Sequence, residues 1–175
     1  EPTANFASSD SSTNEEYSEA NTTTSYEESY YNTGDRPYID YYGKGKYDRR
    51  TKNSLKIENG SESDAVVFLE SVSGQKVRHV FIQKGEHFKM LQIIGWKYII
   101  KVFQGNSWND EKYNGDNAPY GGFMENVSMS KSDNADTFDY PYPKSGRYYE
   151  YEVTLYKVEN GNFHTEDINI EEMFN

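Results

Sequence analysis

The feature that most constrains this chain is a period of two. In Trp96 to Phe103 (WKYIIKVF), Trp96, Tyr98, Ile100 and Val102 fall on one side of an extended backbone and Lys97 and Lys101 on the other, because successive side chains of a strand point to opposite faces. Short runs of β-branched and aromatic residues recur from Asn53 onward, each closed by a turn signal. Ser54 to Glu58 ends at Asn59-Gly60, Asp64 to Val72 at Ser73-Gly74, and Lys76 to Gln83 at Lys84-Gly85. His87 to Ile93 ends at Gly95, and the strand from Trp96 at Gln104-Gly105. Met124 to Lys131 alternates weakly. Tyr148 to Val158 alternates well, with Tyr149, Tyr151, Val153 and Leu155 opposite Glu150, Glu152 and Thr154, and Asn160-Gly161 predicts a turn into Asn162 to Asp167. Asn169 is placed to cap a helical turn over Ile170 to Phe174, with Glu171 and Glu172 near the positive end of its dipole. Seven or eight short strands, with no helical pattern of useful length, predict an all-β antiparallel β-sandwich, immunoglobulin-like or transthyretin-like. A small β-barrel is the alternative.

The first part of the chain has no such pattern. Residues 1–34 hold 13 Ser or Thr and no Leu, Ile, Val or Met, too little apolar surface to offset the entropy of ordering. Residues 1–45 carry nine acids and two bases, hence −7 of the total −11, which leaves −4 for the other 130 residues. The composition therefore predicts an acidic arm or linker over 1–45 and a nearly balanced β-sandwich over 46–175. At that length folding hides roughly 65% of the unfolded chain's surface, enough for an independent domain. Seven of the 17 tyrosines lie in the arm. Tyrosine supplies binding surface, and a segment such as Arg36 to Tyr42, with Tyr38 and Tyr41 between them, has the extended character to pair with an open sheet edge of the same or another copy.

Several function classes recede on composition. No stretch of 18 apolar residues exists; the most apolar run, Met90 to Phe103, is broken by Gln92, Gly95, Lys97 and Lys101. The absence of cysteine removes disulfides, thiolate nucleophiles and cysteine-based zinc sites. A net charge of −11 argues against nucleic acid, whose phosphates require clustered Lys and Arg. No cofactor motif is present. The three histidines, His79, His87 and His164, lie on three predicted elements; His79 and His87 would meet only across a hairpin at Lys84-Gly85. Gly105-Asn106-Ser107-Trp108-Asn109 lacks the second glycine of a nucleophile elbow and the helix that should follow it. Glu150 and Glu152 share one strand face, whereas a glycosidase pair must converge across a substrate. These readings predict a protein that is not an enzyme.

The most distinctive segment is the long connection Gln104 to Phe123 (QGNSWNDEKYNGDNAPYGGF). It mixes Trp108, Tyr113, Tyr120 and Phe123 with Asn109, Asp110 and further Asn and Asp residues. Long loops on rigid sheets often carry binding. An aromatic platform with amide and carboxylate partners would suit a sugar ring or a protein. Abundant oxygens also suit calcium, although the EF-hand spacing is absent. A self-packed loop, with Trp108 and Phe123 covering one end of the sandwich, is the alternative reading.

Gly95 to Gly105 resembles a strand of transthyretin-like and carboxypeptidase-regulatory-like sandwiches. More broadly, PYIDYYGKGKYD (37–48), NSLKIENGSESDAVVFL (53–69), VRHVFIQKGEHFKM (77–90), WKYIIKVFQGNSWN (96–109), GGF (121–123), TLYKVENGNF (154–163) and the final INIEEMFN together resemble an uncharacterised domain of secreted or membrane-tethered Bacteroidota proteins. That resemblance implies a β architecture and an extracytoplasmic location, and it assigns no catalytic or binding residue. The chain opens on Glu1 rather than on a charged-then-apolar leader, so an export signal or anchor is expected upstream. The expected role is a non-catalytic extracytoplasmic module for protein binding or self-assembly, with a carbohydrate-binding module as the alternative and a small hydrolase as a third.

Overall fold

The computed structural model describes residues 27–133, 136–155 and 165–175. Two sheets form the body. The smaller is ordered β4-β1-β8, from β1 (Ser54–Asn59), β4 (His87–Leu91) and β8 (Glu150–Leu155). The larger runs β3-β2-β5-β6-β9, from β2 (Asp64–Ser71), β3 (Lys76–Ile82), β5 (Lys97–Asn109), β6 (Gly122–Ser132) and β9 (Thr165–Asp167). The two-residue β7 (Phe138–Asp139) pairs with the start of β5. Neighbours are antiparallel except β8, which lies parallel to β1 with Ile57 opposite Val153. The all-β sandwich expected from the alternation is the observed fold.

Alternation explains what lies between the sheets. Leu55 and Ile57 of β1, Ala65, Val67 and Leu69 of β2, Tyr98, Ile100 and Val102 of β5, and Val153 and Leu155 of β8 turn inward into one buried cluster, which Tyr140 joins. Lys56, Glu152, Lys89 and Glu150 face outward from the small sheet, where Lys56 bonds Glu152 at 2.9 Å and Lys89 bonds Glu150 at 2.6 Å. Trp96, expected on the inward face, stands just before β5 and is half exposed.

The large sheet is also covered on its other face. Val66, Phe68, Phe81, Phe103, Trp108 and Phe123 form a second cluster there with Tyr38, Met173 and Phe174. Two segments close it: the chain before β1, including α1 (Ile39–Tyr42), and the terminal α2 (Ile170–Phe174). Asn169 caps α2 as expected, its side-chain oxygen accepting the Glu172 N–H at 2.8 Å. Lys101, expected on the face opposite Tyr98, Ile100 and Val102, lies there, and that face is this covered one. A strand covered on both sides has no solvent face to offer, so a charge there must find partners.

The arm expected over residues 1–45 is, from Ser29 onward, a layer of the fold. Gly34 N–H donates to Phe81 O, Phe81 N–H to Asp35 O, and Lys46 N–H to Val77 O, so this segment satisfies the outer edge of β3 within its own chain. A second correction concerns the loop expected from Gln104. β5 continues to Asn109 and β6 begins at Gly122, leaving residues 110–121 as the connection. The ladder survives by a register shift between Gln104 and Asn106. The turn expected at Asn160-Gly161, the end of the Tyr148 to Val158 run and the first half of Asn162 to Asp167 lie outside the described residues.

Candidate functional site

Most of the expected binding residues hold the fold together. Trp108 and Phe123 pack edge to face with ring centroids 4.9 Å apart, both buried. Neither presents a ring to a ligand, because the strands that carry them turn them under the N-terminal layer. Asn109 accepts the Glu111 N–H at 2.7 Å. Asp110 accepts from Trp108 Nε1 at 2.9 Å and from the Tyr31 hydroxyl at 2.7 Å. Burial acts to raise the Asp110 pKa, but hydrogen bonds from Ser29, Tyr31 and Trp108 outweigh it and hold the carboxyl below its ordinary value.

The residues expected in a self-assembly arm are similarly engaged. Tyr38 is buried; its hydroxyl donates to Gly121 O at 2.8 Å and its backbone N–H to His79 Nε2 at 3.1 Å. Arg36 donates to Lys44 O at 2.6 Å. Half-buried Tyr42 donates to Phe174 O at 3.2 Å, and exposed Tyr41 bonds Asn117 O. Burial pushes the Tyr38 and Tyr42 pKa values up, so both rings stay neutral hydrogen-bond donors.

Only Tyr113 and Tyr120 of the expected platform are exposed, tilted against each other at 5.8 Å. The Tyr113 hydroxyl donates to Asp116 at 2.6 Å, and Asn114 ties the loop by donating to Pro119 O and Gly121 O.

His79 and His87 do not meet. His79 lies on the outer face of the large sheet and His87 on β4 of the small one, because Lys84-Gly85 carries the chain between sheets rather than around a hairpin within one. His164 lies outside the described residues, among which no cluster of three or more His, Asp or Glu is placed for a metal. Ser107 lies within β5 rather than at a strand-to-helix turn.

A different surface emerges where β5 begins. Asn53, fully buried, donates to Ile93 O at 3.1 Å and Pro141 O at 3.0 Å, while its side-chain oxygen accepts the Tyr149 N–H at 3.0 Å. One amide therefore fastens three segments, 49–54, 93–98 and 138–150, at one end of the sandwich. Gly95 permits a close approach: a Cβ there would lie 2.5 Å from Pro141 O. On this frame Trp96, Tyr142, Tyr148 and Tyr149 are each about half exposed. Trp96 meets Tyr142 edge to face at 6.4 Å, and the Lys52 ammonium lies 5.7 Å from the Tyr148 ring centre. Lys144 and Arg147 are exposed beside them, and Arg49 lies on the chain leading into β1.

Periodicity alone assigns Trp96 to the core, which hides this surface. The readable signals are Tyr142 between Pro141 and Pro143, which cannot continue a strand, and the adjacent Arg147-Tyr148-Tyr149. Neither protein-family models, nor curated proteins, nor solved structures match this chain.

Proposed function

We propose that the protein is a non-catalytic, extracytoplasmic protein-binding module whose docking surface is the aromatic end at Trp96, Tyr142, Tyr148 and Tyr149. The extracytoplasmic location rests on the resemblance of the body to secreted and membrane-tethered domains. The carrying observation is four large aromatic rings left half exposed on a frame fixed by Asn53. Tyr, Trp and Arg dominate the energetics of protein contacts, and rings whose backbone is already fixed lose little entropy on binding. The candidate chemical groups support a non-catalytic role: Glu150 and Glu152 are ion-paired, and Asp110 and His79 are committed to hydrogen bonds within the fold.

The test uses the two tryptophans, one exposed and one buried. Titration with an acidic tyrosine-containing peptide polymer should change the emission of Trp96, and Trp96→Phe should abolish the response, since Trp108 is enclosed. No response to peptide or protein ligands would overturn the reading. The exposed Tyr113–Tyr120 pair beside Asp116 supports a second reading, carbohydrate binding. Oligosaccharides that shift the ring resonances of Tyr113 and Tyr120 while leaving Trp96 unchanged would favour it.

A further inference from the structure

The two ends of β5 differ in charge. At 3.3 Å per residue its 13 residues separate Lys97 from Asn109 by roughly 40 Å. The Lys97 end carries the aromatic surface with Arg49, Lys52, Lys144 and Arg147, none of which is ion-paired among the described residues. Acids at that end are Asp48, bonded to Arg50 at 2.8 Å, Asp139, 3.9 Å from Lys97, and Glu150, bonded to Lys89; Asp133 and Asp136 also lie towards it and have partners of their own. The opposite end is different in form and in sign. Ser29 N–H bonds Trp108 O, which brings Glu27 and Glu28 beside Glu125 around a depression of about 220 Å³ that Ser107, Asn109 and the partly exposed Met124 also line, the Trp108 ring lying buried beneath. Glu111 is exposed on the neighbouring turn. Residues 1–26, which precede Glu27 in the sequence, hold five acids and no base.

We infer that the basic aromatic end of one copy docks on the acidic-rimmed depression at the opposite end of a second copy. This rests on the reading of the aromatic end as a protein-binding surface and names its partner. The match is one of charge: half-exposed rings flanked by cations meet a hollow flanked by carboxylates. Such charge arrangement sets register and steers encounter. Because the two surfaces differ, the contact is heterologous, and repetition produces a ring or a filament rather than a closed dimer.

The experiment is sedimentation velocity on the full chain over a concentration series, at about 20 mM and about 500 mM salt, since screening shortens the reach of exposed charges from tens of ångströms to a few. The expected result is mass above that of a monomer at low salt and its loss at high salt. Lys52→Glu with Arg147→Glu should return the low-salt species to monomer. Glu27→Lys with Glu28→Lys should do the same from the other end, and mixing the two variants should restore association. All four positions are exposed, and circular dichroism checks that the fold persists. A monomer under every condition overturns the inference, as does association that ignores salt or survives either double variant. If residues 1–26 occupied the basic end of their own chain, removing them would change Trp96 emission without changing mass; that outcome also overturns it. Should copies fail to associate while the acidic peptide polymer still moves Trp96 emission, the self-partner falls and the protein-binding reading stands.

Discussion

Glu70 shows how a single residue can be obliged to stay where it is. Its side chain and those of Lys76 and Lys101 are only 5–6% exposed. One carboxylate oxygen lies 3.0 Å from Lys101 Nζ and 3.2 Å from Lys76 Nζ. The lysines have further work: Lys101 donates to Glu172 O at 2.7 Å, and Lys76 to Asn175 O at 2.9 Å, satisfying carbonyls that the end of α2 leaves open. Burial lowers the Lys76 pKa, and Glu70 opposes that shift. Glu70→Ala would leave two buried cations without an anion and should cost about 3–5 kcal/mol in urea unfolding. Replacing all three by Met should recover most of that loss, because the cost lies in the unpaired charges. His79 makes a second residue-scale prediction. Burial lowers its pKa from 6.5 to about 4, and Nε2 accepts from Tyr38 N–H, so the folded ring is neutral. Between those values the unfolded chain binds the proton that the folded chain refuses. The contribution is therefore complete above pH 6.5 and lost as pH falls towards 4. Moving from pH 7.5 to 5 should remove about 2 kcal/mol, and His79→Gln, whose amide oxygen can still accept, should flatten that interval. The depressed carboxylates Asp48, Glu58 and Glu150 titrate below it.

At the scale of elements, β5 and β6 carry the longest pairing and its one irregularity. The strands approach most closely at the register shift, where a Cβ on Gly105 would sit 2.3 Å from Phe123 Cβ and 2.9 Å from Glu125 O. Gly105→Ala should therefore cost about 1–3 kcal/mol in thermal or urea unfolding, because backbone and a core ring must both yield. Turn residues made most other elements legible. Asn59-Gly60, Ser73-Gly74 and Lys84-Gly85 lie at or within three residues of the ends of β1, β2 and β3, and Asn169 marks the start of α2. Gly105 misled for a physical reason: the same residue type that closes a turn also permits a bulge inside a strand. The two-residue β7 carries too few residues for any period. Of the expected site, the aromatic richness of 104–123 was legible, but its division was not. Trp108 and Phe123 go inside and Tyr113 and Tyr120 outside because of where β5 ends, which local composition does not encode. The end at Trp96 depends on Asn53 joining segments up to 96 positions apart, and no local window contains that information.

For the whole molecule, the decisive question is how many layers a sandwich needs when its sheets differ in size. The three-stranded sheet covers only one face of the larger sheet, leaving Val66, Phe68, Phe81, Phe103 and Phe123 to be enclosed by something else. In this chain α2 supplies part of that cover, and the rest is drawn from the least hydrophobic part of the sequence. Tyrosine makes this possible: Tyr31, Tyr38 and Tyr42 bring large apolar rings, while their hydroxyls reach Asp110, Gly121 O and Phe174 O. The same segment occupies the backbone edge of β3 through Phe81 and Val77. A chain beginning at residue 46 would keep α2 but lose the tyrosine layer and the edge pairing, exposing much of the apolar face and an open strand edge together. Burying a single aromatic such as Tyr38 contributes on the order of 2 kcal/mol, so removing three tyrosines and their contacts rivals the net stability of a domain this size. The expected outcome is that residues 27–175 give one cooperative urea transition, whereas residues 46–175 bind a hydrophobic dye, unfold at much lower urea and aggregate on standing. Equal midpoints for the two chains would show that the N-terminal layer is ornamental and that the sandwich is closed without it.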